Sequence, residues 1–240
     1  MHNATTSLDI HNLSVSYGRV PVLTDINIKV LRGQVVTIIG ANGAGKSTIL
    51  KTITGLLQPT SGSIRLFGQP IERLEPDQIV PMGLTLVPEG RRLFDVMTVQ
   101  ENLEMGAYSR VDTDGIKKDF ERALAFFPDL KEKLKSQAGS LSGGQQQMVV
   151  VARALMAGPK VMLLDEPTIG LAPAVVQSIA RVISEIRDSG VDVLLVEQNA
   201  EMAIEISDYG YVLEQGRVVL EASARDLANN PSVQKAYLGI

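Results

Sequence analysis

Val35-Val36-Thr37-Ile38-Ile39-Gly40-Ala41-Asn42-Gly43-Ala44-Gly45-Lys46-Ser47-Thr48 decides the fold. The opening run is apolar, β-branched and unalternating, as expected of a parallel strand buried on both faces. It empties into Gly40 to Thr48, which matches the phosphate-binding pattern G-x-x-x-x-G-K-[ST] in the strand–loop–helix setting that pattern requires. The glycines let successive N–H groups, from Gly40, Asn42, Gly43, Ala44 and Gly45 round to Thr48, converge on phosphates. Lys46 is placed for the β and γ phosphates of a nucleotide, and the Ser47 hydroxyl for Mg²⁺. The helix opened by Lys46 is expected to reach about Gly55.

Two further runs, Val161 to Leu164 and Val193 to Val196, have the same buried character and extend the expected sheet. Upstream, Leu8 to Tyr17 and Val22 to Val30 alternate, and Ser61 to Gly68 reads as a further exposed strand bounded by turns. From about Thr98 to Gly158 the period becomes helical. Thr98-Val99-Gln100-Glu101 is a capping box opening a helix through about Tyr108. A second helix is expected from about Gly115 to Phe127, where Pro128 stops it, and a third from Ser142 to about Ala157, closed by Gly158-Pro159. The chain then returns to strand (Val161–Asp165), helix (Ala174–Asp188) and strand (Asp192–Glu197). Val175, Val176, Ile179, Val182, Ile183 and Ile186 form that helix's apolar stripe. The reading is an α/β nucleotide-binding core interrupted by a helical lobe.

With 240 residues the chain has material for a substantial core, and 45% hydrophobic, 21% charged and 4% aromatic residues describe an ordinary globular composition. A net charge of -4 argues against a nucleic-acid partner. The absence of cysteine excludes a disulfide framework and a thiolate metal site. Met1 to Ser7 lacks the basic flank and apolar stretch of a signal peptide, and no apolar run approaches the ~20 residues that cross a bilayer. The expectation is a soluble, cytoplasmic chain whose membrane role, if any, comes through partners.

Two more motifs carry chemistry. In Leu141-Ser142-Gly143-Gly144-Gln145-Gln146-Gln147, Ser142 can cap the following helix and Gln145 can reach back to complete a capping box. Gly143 and Gly144 leave open backbone at a helix N-terminus whose N–H groups and positive dipole end suit an anion. Val161-Met162-Leu163-Leu164-Asp165-Glu166-Pro167 is an apolar strand ending in two carboxylates. Asp165 is placed to hold Mg²⁺ through its water shell, and Glu166 to act as general base on an attacking water.

Phosphate loop, Leu-Ser-Gly-Gly-Gln and Asp-Glu-Pro, in this order, make the chain resemble ABC-type ATPases over about residues 8–240. The resemblance implies an α/β P-loop NTPase (RecA-like) core with an antiparallel β subdomain and an inserted α-helical subdomain. As one ABC ATPase domain, the core would comprise about residues 8–88 and 159–240, and the helical lobe with the signature motif about 89–158. It also implies ATP and Mg²⁺ as ligands, and two such domains meeting head to tail. Ser142 and Gly144 would then contact the γ-phosphate of ATP held mainly by the opposite subunit. Tyr17, in Val15-Ser16-Tyr17-Gly18, matches the family's adenine-stacking aromatic.

Three positions depart from the family's general pattern. Glu89, in Val87-Pro88-Glu89-Gly90-Arg91-Arg92, stands where a metal- and water-contacting Gln is usual. Ala172 replaces an Asp, and Gln198, in Val196-Glu197-Gln198-Asn199, replaces the switch His. The only histidines are His2 and His11, far from that position. Gln198 can donate a hydrogen bond to a γ-phosphate but cannot carry a proton. With Lys46, Ser47, Asp165 and Glu166 all present, an active or slowly active site is expected rather than a degenerate one. These departures, with the terminal Ala236-Tyr237-Leu238-Gly239, resemble the LivF-type subunits of bacterial branched-chain amino acid importers. That subgroup implies a heterodimer with a second homologous ATPase (or a homodimer when isolated), two membrane permeases and, indirectly, a periplasmic binding protein. The permeases' coupling helices would dock on the helical lobe and the Glu89 loop, at the inner face of the membrane. Importers of urea or short amides are the alternative, and a non-transport ABC ATPase is the alternative of another class.

Overall fold

The computed structural model describes residues 5–239; the readings of Met1 to Ala4, His2 among them, and of Ile240 lie outside it. Two sheets organise the chain. The first is antiparallel, in the order β2-β1-β4-β5, from β1 (Thr6–Tyr17), β2 (Val20–Leu31), β4 (Ser61–Leu66) and β5 (Gln69–Pro70). The second has the order β10-β9-β3-β8-β7-β6. It comprises β3 (Val35–Ile39), β6 (Leu84–Val87), β7 (Val161–Asp165), β8 (Asp192–Glu197), β9 (Tyr209–Glu214) and β10 (Arg217–Ser223). Its first five neighbours from β6 to β9 are parallel, and β10 closes the edge antiparallel to β9.

The three unalternating runs are the central strands, and every residue of β3, β7 and β8 is buried. Their side chains still alternate, but between two cores. Val35, Ile39, Met162, Leu164, Val193 and Leu195 face one core, shared with the long helices. Val36, Ile38, Val161, Leu163, Leu194 and Val196 face the other, shared with α1 (Lys46–Ile53) and the antiparallel sheet. Both faces of the pleat bury apolar groups, so the period of two is invisible in the residue types.

The antiparallel strands are less regular than their sequence suggests. Bulges interrupt the β1–β2 register between Ile10 and Leu13 and around Asp25, with Asn12 at φ +48° and Asp25 at φ +55°. The first shifts the phase of β1 so that Leu8, Ile10, Leu13 and Val15 all reach the core, and the second does the same on β2 for Leu23, Ile26, Ile28 and Val30. β4 is not simply exposed: Ile64 and Leu66 are fully buried and only its other face meets solvent. The two sheets are tied at Asp192, 1% exposed, whose carboxylate accepts the Gly33 N–H at 2.6 Å and the Ser7 hydroxyl.

Between β6 and β7 the described residues are mainly helical. α3 (Val99–Gly106) starts at the Thr98–Glu101 capping box. The helix after it, α4 (Thr113–Phe126), begins two residues before the expected Gly115, because the Asp112 carbonyl accepts the Ile116 N–H while Arg110 holds the Asp112 carboxylate. α5 (Gly143–Leu155) follows Ser142. At Gly106, a Cβ would fall on the Arg153 carbonyl oxygen of α5. Gly106→Ala must therefore push α3 from α5, and about 1–3 kcal/mol of stability is expected to be lost, read as a lower Tm and denaturant midpoint. An unchanged midpoint would mean the two helices can part freely. Four short helices were not expected: α2 (Pro76–Ile79), α7 (Ala200–Ile206), α8 (Ala224–Ala228) and α9 (Pro231–Val233), the last running into a π-helical turn at Gln234–Leu238, although Glu75, Asn199, Ser223 and Asn230 stand at their N-termini. α6 (Pro173–Asp188) places Ile179, Val182, Ile183 and Ile186 in the core, as its stripe requires, with Val175 and Val176 half-buried at its start.

Candidate active site

The loop between β3 and α1 turns tightly because of its glycines. A Cβ at Gly40 would fall on the Leu213 carbonyl of β9, and Gly45 sits at φ +110° with its missing Cβ 2.6 Å from Leu23 Cδ2. The first helical bond of α1 runs from the Ile49 N–H to the Gly45 carbonyl. The N–H groups of Lys46, Ser47 and Thr48 precede it and have no acceptor within the helix.

A cleft of about 460 Å³ lies over this loop, lined by Asn42, Gly43, Gly45, Lys46, Ser47 and Thr48 with Val22, Glu89, Glu166 and Ile169. Glu89 arrives on the exposed loop after β6, and Glu166 on the turn after β7. Glu166 has φ +47°, a left-handed conformation that costs an L residue energy and persists where its surroundings impose it. Here the Glu166 N–H donates to the Val196 carbonyl of β8 at 2.9 Å. Its carboxylate meets Lys46 Nζ at 3.0 Å, the two side chains being 7% and 4% exposed. Lys46 also donates to the carbonyls of Gly40 at 2.8 Å and Ala41 at 3.2 Å. The lysine ammonium is thus held by groups that a phosphate oxygen can replace.

Behind the cleft, Ser47 Oγ donates to Asp165 Oδ1 at 3.2 Å. Burial pushes the Asp165 carboxyl above its ordinary range and the charges of Glu166 and Glu89 add to this, while the Ser47 hydrogen bond and Lys46 oppose it. A nearby cation would relieve that excess negative charge. No cluster of three His, Cys, Asp or Glu able to hold a metal exists among the described residues. The oxygen donors that are present, Ser47 Oγ beside the Asp165 carboxylate, fit an ion that takes one or two protein ligands and completes its shell with phosphate and water, as Mg²⁺ does.

A second cleft, of about 340 Å³, shares Glu166 and Ile169 with the first and adds Thr168, Gly170, Glu197, Gln198 and Asn199. Gln198 thus stands beside Glu166 but outside the phosphate-loop cleft. Tyr17 lies at the end of β1, 48% exposed, and is not among the residues lining either cleft. Ser142, Gly143, Gly144 and Gln145 are absent from both linings as well. The capping box they were expected to form is present: the Gln145 N–H donates to Ser142 Oγ at 3.4 Å and the Ser142 N–H to Gln145 Oε1 at 3.2 Å. Its end is exposed at Ser142, packed by Arg91 against Gly143 and by Val175 against Gly144. One chain therefore presents two separate phosphate-suited surfaces, the cleft and a helix N-terminus outside it. Glu197, almost wholly buried beside Glu166 and Gln198, is a residue that sequence reasoning passed over as the end of a strand; a lone Glu closing an otherwise apolar run was the available signal.

A family profile described as ABC transporter matches residues 23–169, which run from β2 through the phosphate loop and the helical lobe to the Glu166 turn. The chain belongs to the ABC transporter family. It is 46% identical over 232 residues to the high-affinity branched-chain amino acid transport ATP-binding protein BraG of Pseudomonas aeruginosa, covering 97% of this chain and 99% of that one. Among solved structures, the ADP conformation of an ATP-binding cassette of an ABC transporter superposes with a TM-score of 0.87 at 28% identity, covering 98% of this chain and 99% of the other. A dimeric bacterial ABC transporter cassette gives 0.80 at 25% identity, covering 91% and 99%. This ABC cassette is thus similar, over nearly its whole length, both to a nucleotide-bound cassette and to one that dimerises.

Proposed function

We propose that this ATP-binding cassette hydrolyses ATP to drive import of branched-chain amino acids through membrane permeases. The observation that carries the chemistry is the convergence of Lys46, Ser47 and Glu89 with the strained Glu166 in one cleft; the similarity to BraG supports the solute class. In this reading residues 8–240 form one cassette, with the helical lobe at about 89–158. Lys46 leaves the Gly40 and Ala41 carbonyls for the β and γ phosphates, and loop N–H groups from Gly40 to Thr48 cradle the rest. Ser47, Asp165 through water, and Glu89 would hold Mg²⁺, which when bound neutralises phosphate charge. Glu166, freed from Lys46, takes the proton of the attacking water, and Gln198 donates to the γ-phosphate. Tyr17 stacks on adenine. Ser142, Gly143 and Gly144, with the Gln145 cap, complete the site of a second, homologous ATPase subunit, which returns the same contact.

No helix among the described residues is long and apolar enough to cross a membrane, so coupling must pass through a surface. A groove of about 530 Å³ lies beside the Glu89 loop, between Pro88, Leu93, Phe94, Met105 and Tyr108. Phe94 and Tyr108 are 44% and 85% exposed there, and Thr85 Oγ1 is buried without a partner. These features support docking of a permease segment at this groove, on the inner face of the membrane, with a periplasmic binding protein acting on the far side.

The deciding experiment purifies the complex through a tag on this chain and asks which solutes, presented with their binding protein, stimulate its ATPase. Leucine, isoleucine and valine are expected to stimulate. Stimulation by urea or short amides alone moves the reading to that importer class, and recovery with ribosomes or DNA in place of permeases sinks it. A second measurement concerns the switch position. Gln198→His is expected to keep or raise hydrolysis, since imidazole also donates to a phosphate and can carry charge; a collapse in rate with intact folding would give Gln198 a role that His cannot fill.

A further inference from the structure

We infer that Glu197 is a positioning residue that locks the Glu166 turn and the Gln198 turn into one register. The inference rests on the ATPase reading above and deepens it. Glu197 ends β8 and is 2% exposed. One carboxylate oxygen accepts the Thr168 N–H at 3.1 Å and the Thr168 hydroxyl at 2.6 Å. The other accepts the N–H groups of Gln198 at 3.2 Å and Asn199 at 3.4 Å. The turns that follow the paired strands β7 and β8 are thus pinned to the two oxygens of one side chain. Glu166 is bracketed by the same strand: the Val196 carbonyl holds its N–H, and the next residue's side chain holds Thr168, two positions further on.

The identity of the residue follows from the donor count. All four partners donate, and only a carboxylate offers acceptors on both oxygens; glutamine would turn an NH₂ group toward one pair. Burial, with the charge of Glu166, raises the Glu197 carboxyl above its ordinary range while its hydrogen bonds oppose that shift. The carboxylate is therefore kept in a place where burial and a neighbouring negative charge both oppose its ionisation, and its four hydrogen bonds are the compensating gain. A side chain packed only for stability needs no such arrangement, because Thr168 and the backbone turns could be satisfied separately. The clamp links the base-bearing turn to the switch residue from outside the phosphate-loop cleft, whose lining includes neither Glu197 nor Thr168.

The test uses Glu197→Gln and Thr168→Val in the complex purified through this chain, with Glu197→Ala as the full deletion. Glu197→Gln is expected to lower kcat by about 100-fold while KM for ATP stays within about twofold, the split expected when reacting groups are misplaced but binding is not. Thr168→Val, which removes one donor, should lower kcat less. Independently of hydrolysis, amide hydrogen exchange of the full chain should speed up at Gln198 and Asn199 in Glu197→Ala, which removes both acceptor oxygens, and stay unchanged at Leu194 and Leu195. An unaltered kcat in Glu197→Gln, beside a collapse in Glu166→Gln, overturns the inference, as does unaltered exchange at Gln198 and Asn199 in Glu197→Ala. Equal losses of ATP affinity and Tm reduce Glu197 to a structural residue and overturn it too. If the wild-type complex hydrolyses no ATP, the ATPase reading fails, and the exchange data still decide whether the clamp exists.

Discussion

Replacing Glu166 with Gln should lower the single-turnover rate of ATP hydrolysis by roughly 100- to 10,000-fold, the contribution of a well-placed general base, and leave ATP bound. The substitution preserves shape. The Gln carbonyl oxygen still accepts from Lys46, whose Nζ stands 3.0 Å from the Glu166 carboxylate, and the backbone at φ +47° remains held through Val196. What disappears is the capacity to take a proton. The phosphate and metal contacts proposed for Lys46, Ser47 and Asp165 are untouched, so the ATP-bound subunits should accumulate in association, visible by light scattering only when ATP is present. Unchanged single-turnover hydrolysis would show that Glu166 is not the base, and the search would move to Glu89, the other carboxylate lining the same cleft.

Lys46→Met should cost about 3–5 kcal/mol of stability by stranding Glu166 as an unpaired buried charge, and abolish detectable ATP binding. The pair is nearly enclosed, at 4% and 7% exposure, so solvent only partly replaces the lysine. The carbonyls of Gly40 and Ala41 lose their donor as well. The double variant Lys46→Met/Glu166→Gln separates the two effects. Neutralising Glu166 removes the stranded charge, so most of the lost stability returns and the two substitutions are strongly non-additive. ATP binding does not return, because the phosphate ligand is still missing. A denaturant midpoint that does not move in Lys46→Met would mean Glu166 finds another partner when the lysine is gone. Retained ATP binding would remove Lys46 from the phosphate site.

Much of the site was legible because its motifs are local. A phosphate loop works through consecutive N–H groups and one lysine on the following helix turn, so Gly40 to Thr48 carries its whole geometry in its residue order. The same holds for the Ser142–Gln145 capping box and the strand ending in Asp165 and Glu166. The antiparallel strands were less legible, since a bulge is invisible in a pattern that still looks alternating, and Asn12 and Asp25 reveal it only by their left-handed backbone. β9 and β10 went unassigned although their connection carries a signal. Gln215 and Gly216 form a two-residue hairpin loop with φ of +46° and +74°, the conformation that tight hairpins favour. Gly210 within β9 and the polar residues of β10 obscured the strands on either side.

The sequence by itself determined which residues can meet phosphate, metal and water, because those capacities belong to side-chain chemistry and to turns closed within a few residues. Tertiary structure alone decided which of them share a cleft. The strand order β10-β9-β3-β8-β7-β6 is set by burying two cores at once, a sum over the whole chain that no local window contains. That order brings the turn after β7 to the loop after β3, so Lys46 finds Glu166, and sets β8 beside it, so Glu197 can grip Thr168. It also leaves Ser142 on an exposed helix end outside its own chain's cleft. Non-local contacts of this kind follow from packing rather than from residue type, which is why the motifs were readable and their meeting was not.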